Sequence, residues 1–183
     1  MKIALILRKK IDGENSMEEI AFSLANQLKD NVQLYQLPYD SYRLISVIKN
    51  ILYVKKIKAD VFHVFSITEG YLVPFLRNCL LTCHDVNTVK YFKKKWKQKL
   101  YLLINVKIPV FFAKKITCVS TQTKTEYECV APYSQKKLIV ISNPLNKLIK
   151  TNIKVFNEEC PNILHIGTAY RKNLINEQIK FSF

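Results

Sequence analysis

An α/β domain built on a doubly wound, parallel sheet is the fold class this sequence predicts, and two observations predict it. Short apolar-rich runs recur at residues 2–7, 32–37, 60–65, 80–83, 116–119 and 137–141. The first is apolar without a break from Ile3 to Leu7, the pattern of a strand buried on both sides in a parallel sheet. Between several of these runs lie segments whose apolar residues repeat at helical spacing, and strands alternating with helices specify parallel βαβ units. No internal repeat or low-complexity tract is present.

Each element has its own signal. The first strand runs into Arg8-Lys9-Lys10, too soon for a signal peptide. After a loop holding Asp12 and Gly13, Ser16-x-x-Glu19 is a capping box. Behind it Met17, Ile20, Ala21, Leu24, Ala25 and Leu28 share one helix face, directed at the sheet. Pro38 ends the second strand. Residues 41–57 form a second helix carrying Leu44, Ile48, Ile51 and Leu52, with a basic last turn that complements the helix dipole. The third and fourth strands follow at 60–65 and 80–83. Regularity then loosens through His84 and Asp85 into a Lys-rich, aromatic stretch, residues 90–99. A strand at 116–119 leads into a helix at 120–130, with Ser120, Thr121 and Thr123 as candidate caps. The strand at 137–141 is broken by Ser142-Asn143-Pro144. Six or seven parallel strands are expected, with the first one central and His84 at the carboxyl edge of the sheet.

A length of 183 residues suits one domain with a little left over. That domain spans residues 1–146. Residues 147–161 are polar and patternless and read as a linker. Residues 162–183 open with a new strand, Ile163-Leu-His-Ile166, then Gly167, a basic turn and the start of a helix, which is how a second nucleotide-binding domain begins. Hydrophobic residues make up 49% of the chain, ample for a packed core. The net charge of +15 predicts an anionic partner, although a Lys- and Ile-rich coding bias would produce some of it. Cys79, Cys83, Cys118, Cys129 and Cys160 form an odd set without a C-x-x-C, so buried, reduced thiols are expected rather than a disulfide framework. His84 beside Cys83 is not a metal pair, because successive strand residues point to opposite sides. No metal site is expected, and no apolar run reaches the ~20 residues that span a bilayer.

Taken in order, several of these segments resemble the N-terminal domain of a GT-B-fold glycosyltransferase of the family 4 type. The matching words are Ala59-Asp-Val-Phe-His63, Leu81-Thr-Cys-His-Asp85, and Lys114-Lys-Ile-Thr-Cys-Val-Ser120 with Thr123-Lys124. Lys136-Lys-Leu-Ile-Val-Ile-Ser-Asn-Pro144 and Ile163-Leu-His-Ile-Gly-Thr168 with Arg171-Lys-Asn173 complete the set. The resemblance implies two Rossmann-like domains facing across a cleft, the acceptor held by the first and the nucleotide sugar mainly by the second. It further implies a retaining transfer to a glycan or lipid-linked acceptor, with the nucleotide sugar as substrate and no cofactor. The family's paired-glutamate segment is absent, and the chain is expected to be a truncated or split copy, inactive alone.

Candidate site residues follow. His84 and Asp85 stand just beyond a strand's carboxyl end, where open α/β sheets bind ligands. By resemblance His84 lines the cleft near the transferred sugar; the alternative is a turn Asp with an incidental His. Gly13 would let backbone N–H groups approach a phosphate or sugar, or is an ordinary turn glycine. The family shows a glycine pair there, whereas Glu14 follows Gly13. By resemblance Arg171 and Lys172 neutralise the nucleotide diphosphate as it leaves. Glu69-Gly70-Tyr71 falls where the family's acceptor loops lie. Residues 90–99 suit an acidic bilayer surface, with Trp96 at headgroup depth. Single-stranded nucleic acid is a weaker fit and is not expected as a partner. The plain alternative is a solvated helix with Leu100, Leu103 and Phe111 in the core.

The lineage expected is therefore a glycosyltransferase, cytoplasmic and associated with membranes. Its rival is a non-catalytic basic module that docks on membranes or completes a complex with a second polypeptide.

Overall fold

The computed structural model describes residues 1–10, 16–28, 31–86 and 93–144. Six strands form one all-parallel sheet: β1 (Ile3–Leu7), β2 (Val32–Gln36), β3 (Val61–Val64), β4 (Cys79–Cys83), β5 (Lys115–Cys118) and β6 (Leu138–Val140). Their spatial order is β2-β1-β3-β4-β5-β6. The α/β, Rossmann-like fold class stands. β1 is paired on both sides, yet it lies second from the edge and β3 and β4 are the middle pair. The expectation of a central first strand is corrected accordingly, because only β2 lies beyond β1 and every later strand adds on the other side.

Among the described residues five α-helices connect the strands: α1 (Ser16–Leu28), α2 (Leu44–Val54), α3 (Lys95–Leu102), α4 (Ile108–Phe112) and α5 (Thr121–Val130). A 3-10 segment, Ile67–Phe75, joins β3 to β4. A π turn, Leu103–Lys107, fuses α3 to α4. Alternation along the strands separates two layers of packing. Ala4, Ile6, Phe62, Val64, Leu81, Cys83, Ile116 and Cys118 face α2, the 3-10 segment, the π turn and α5, in the main core. Leu7 and Phe65 face the other way and pack with Ala21 of α1 in a smaller cluster. α1 keeps its expected inward face apart from Leu28, which is exposed.

Two local details set the helix ends. Ser120 caps α5, its Oγ accepting from the Thr123 N–H at 3.1 Å. α2 begins at Leu44 rather than residue 41, because Asp40 accepts from the Tyr42 N–H at 3.0 Å and holds a turn there. The side chain of Ser16 lies outside what is described, so its capping box is untested.

α2 does not bury the residues expected of it. Ser46, Asn50 and Val54 are its buried residues, while Leu44, Ile48 and Leu52 are exposed and only Ile51 of the four packs on the core. Likewise Leu100, Leu103 and Phe111 are exposed, not core residues, and α3 buries no residue at all. The core beneath that region is supplied instead by Val106 of the π turn and Val110 of α4.

Candidate functional site at the strand reversal

From β1 the chain steps outward to β2 and then returns past β1 to β3, so the topological reversal lies between β1 and β3. Parallel sheets open a crevice at the carboxyl ends of the two strands flanking such a point. Arg8 follows β1 there, Ser66, Thr68 and Glu69 follow β3, and His84 follows β4.

Glu69 is the unusual member, a carboxylate only 3% exposed. Its Oε1 accepts from the Ser41 hydroxyl at 3.1 Å and its Oε2 from the Thr68 hydroxyl at 2.6 Å. Those donors are themselves fed. Asn50 Nδ2 donates to Tyr71 Oη at 3.0 Å, and Tyr71 Oη lies 3.2 Å from Ser41 Oγ. Because Ser41 spends its proton on Glu69, it receives that of Tyr71. By the same reasoning Ser66 Oγ, 2.7 Å from Thr68 Oγ1, donates to it. Every hydroxyl proton in the network points toward the carboxylate. Burial raises the Glu69 pKa above the ordinary range, and the hydroxyl bonds and the charge of Arg8 pull it back. Arg8 is anchored by Glu18 of α1, Nε to Oε1 at 3.1 Å, with both side chains largely buried.

His84 is half-buried. Its Nε2 lies 3.1 Å from the Phe65 carbonyl oxygen, which can only accept, so Nε2 carries the proton and Nδ1 is the acceptor nitrogen. Burial is the largest influence on the ring and lowers its pKa, with Arg8 acting in the same direction and the Phe65 carbonyl and Asp85 opposing. A neutral imidazole results at pH 7, and the His84 carbonyl accepts from the Thr123 hydroxyl at 3.3 Å. Asp85 is exposed at the rim.

Gly70 serves packing. A Cβ added there would fall 2.1 Å from the Asn105 carbonyl oxygen of the π turn, so no other residue fits without backbone movement. Asn105 also accepts from the Tyr71 N–H at 3.3 Å, which locks the 3-10 segment to that turn.

Thus the carboxyl edge brings together His84, Asp85 and the Glu69 segment among the residues anticipated from sequence. It adds Arg8, Glu18, Ser41, Ser66 and Thr68, which sequence reasoning missed. A basic residue directly after the first strand was a usable signal for Arg8; nothing local marks Ser41. Gly13, Arg171, Lys172, the linker and the strand at 163–166 lie outside the described residues, as do residues 90–92. A groove of about 760 Å³ opens at the opposite, amino-terminal end of the strands, beside Lys2, Lys58, Asp60 and Phe75. It is wide and shallow and holds no converging set of buried polar groups, so the carboxyl edge is the better candidate.

A neutral acceptor nitrogen, a charge-balanced Arg–Glu pair and a bank of hydroxyls suit recognition of an uncharged, hydroxyl-rich ligand. They offer little to a free phosphate, since Arg8 already has its counter-charge. No protein-family model matches this chain, and no curated protein matches it.

Proposed function

We propose that this chain carries the acceptor-side domain of a retaining glycosyltransferase, in which a sugar passes from a nucleotide donor to a hydroxyl of a glycan or lipid-linked acceptor with its anomeric configuration kept. The single observation that carries the reading is the neutral His84 beside the β1/β3 reversal, its Nε2 committed to Phe65 and its Nδ1 left in the accepting state. An imidazole in that state accepts a hydrogen bond from a sugar hydroxyl and positions it without bringing charge. Glu69 and its hydroxyls hold the neighbouring segment rigid, and a site on a rigid scaffold orients its ligand better. In this reading His84 and Asp85 touch the reacting sugar, Gly13 supports the donor side, and Arg171 and Lys172 stabilise the departing nucleotide diphosphate. The reaction uses no metal and no covalent nucleophile.

A second reading, a non-catalytic basic module bound to membranes, draws on α3. Trp96 there is exposed, with Lys97 Nζ 5.6 Å from its ring centroid, and Lys93, Lys94, Lys95 and Lys99 are exposed around it.

The chain has three imidazoles, so their ring resonances in NMR spectra can be assigned by substitution. Titration with a panel of nucleotide sugars and simple glycosides is expected to shift the His84 ring saturably and leave His63 in place. The His84→Ala variant should lose the response. If no member of the panel moves His84, the glycosyltransferase reading fails and the binding-module reading gains.

A further inference from the structure

α2 turns its most apolar side outward. Its inward face holds Ser46 and Asn50 among the buried residues, whereas its outward face presents Leu44, Ile45, Ile48 and Leu52 at 75%, 69%, 49% and 56% exposure. Asn50 has work inside: it donates to the Tyr39 carbonyl at 3.0 Å and to Tyr71 Oη. At 100° per residue the four outward side chains fall within a single arc of about 100°. An apolar stripe of that kind, unneeded by the core, marks an interaction surface.

Its charge selects the partner. Residues 41–59 contain no Asp or Glu, and Arg43, Lys49, Lys55, Lys56 and Lys58 are all exposed. On the helical wheel Lys49 and Lys56 border the stripe on one side, and Lys55 lies within it. We propose that the outward face of α2 docks on an anionic lipid bilayer, Leu44, Ile45, Ile48 and Leu52 entering the acyl boundary and the flanking cations engaging acidic headgroups. A second copy of the chain fits less well. Four side chains on an 11-residue helix fall short of the roughly 800 Å² per partner that stable interfaces bury, and self-pairing would bring like charges together. This inference stands on α2 alone and does not rest on glycosyl transfer.

The test is co-sedimentation of the full chain with vesicles of phosphatidylcholine, with and without phosphatidylglycerol. Binding to the anionic vesicles is expected, with little to the neutral ones, and it should weaken on the order of tenfold as salt rises well above 0.1 M. The exposed triple variant Leu44→Ser, Ile48→Ser, Leu52→Ser should lose binding on the order of tenfold or more, with its circular dichroism unchanged. Lys93, Lys94, Lys95 and Lys97 changed to Gln on and beside α3 should cost less than that. As a check independent of the triple variant's folding, Ile48→Trp in a Trp96→Phe background should show blue-shifted emission on anionic vesicles. Equal binding to both vesicle types, no emission shift, or an α3 loss exceeding the α2 loss would overturn the proposal. So would a concentration-dependent dimer that the serine variant abolishes in the absence of vesicle binding.

Discussion

The two sides of the sheet are built on different principles. Toward α2, α5 and the π turn, the middle strands present Phe62, Val64, Leu81, Cys83, Ile116 and Cys118, an apolar layer of the kind a parallel sheet is expected to bury. On the reverse side the same strands present His63, Thr82 and Thr117. His63 Nε2 lies 2.7 Å from Thr82 Oγ1, which lies 2.7 Å from Thr117 Oγ1, and Thr117 donates on to the Leu81 carbonyl at 3.5 Å. Strand periodicity thus gives neighbouring residues opposite duties. One layer holds the fold by burial and shape, and the other by a directed row of hydrogen bonds.

The sharpest test of that contrast substitutes consecutive residues. Leu81→Ala opens a cavity at a site 0% exposed and should cost about 3–4 kcal/mol in denaturant unfolding. Thr82→Val, next to it but facing the other way, should cost about 1–2 kcal/mol, mostly by leaving the His63 N–H without its acceptor. Equal losses would mean that the layers are not distinct.

Acid should expose the polar side next. Burial, with His84 adding in the same direction, lowers the His63 pKa to about 4. Unfolded, the ring takes its proton near pH 6.5. The unfolded chain therefore binds the extra proton between those values, so stability is complete above pH 6.5 and falls as pH drops toward 4. The loss at pH 4 should be on the order of 3 kcal/mol. His84, lowered as well, acts in the same sense, while Glu69, raised, acts in the opposite one. Comparing wild type with His63→Gln across that window isolates the His63 share, and parallel curves would refute it.

Gly70→Ala probes how the apolar side is locked together. Its Cβ would meet backbone rather than a flexible side chain, so a loss of about 2 kcal/mol is expected by thermal unfolding. The smallest effect should come from Thr117→Val at the end of the polar row, about 1 kcal/mol or less.

The strands were legible in the sequence because burial on both sides leaves short apolar runs, and β1, β4 and β5 fall within a residue or two of where those runs lie. The face of α2 was not legible. Helical periodicity selects the most apolar stripe, and in α2 that stripe points outward while Asn50 turns in to bond Tyr39 and Tyr71. At the candidate site His84 could be read from its place after a strand. Arg8, Glu18, Ser41 and Glu69 come from four separate segments, and only the strand order brings them to one edge. No pattern within any one segment announces that meeting.

The free thiols supply a clock. Cys79 and Cys83 on β4 and Cys118 on β5 are each 0% exposed, whereas Cys129 on α5 is exposed. Burial pushes the Cys79 thiol up to about 12, so little thiolate forms there while the sheet stays shut. A soluble alkylating reagent therefore marks Cys129 promptly and reaches the β4 and β5 thiols only when those strands part. Mapping the added masses to the β4 and β5 thiols against time would report how often the middle of the sheet opens, with no cysteine engineered into the chain.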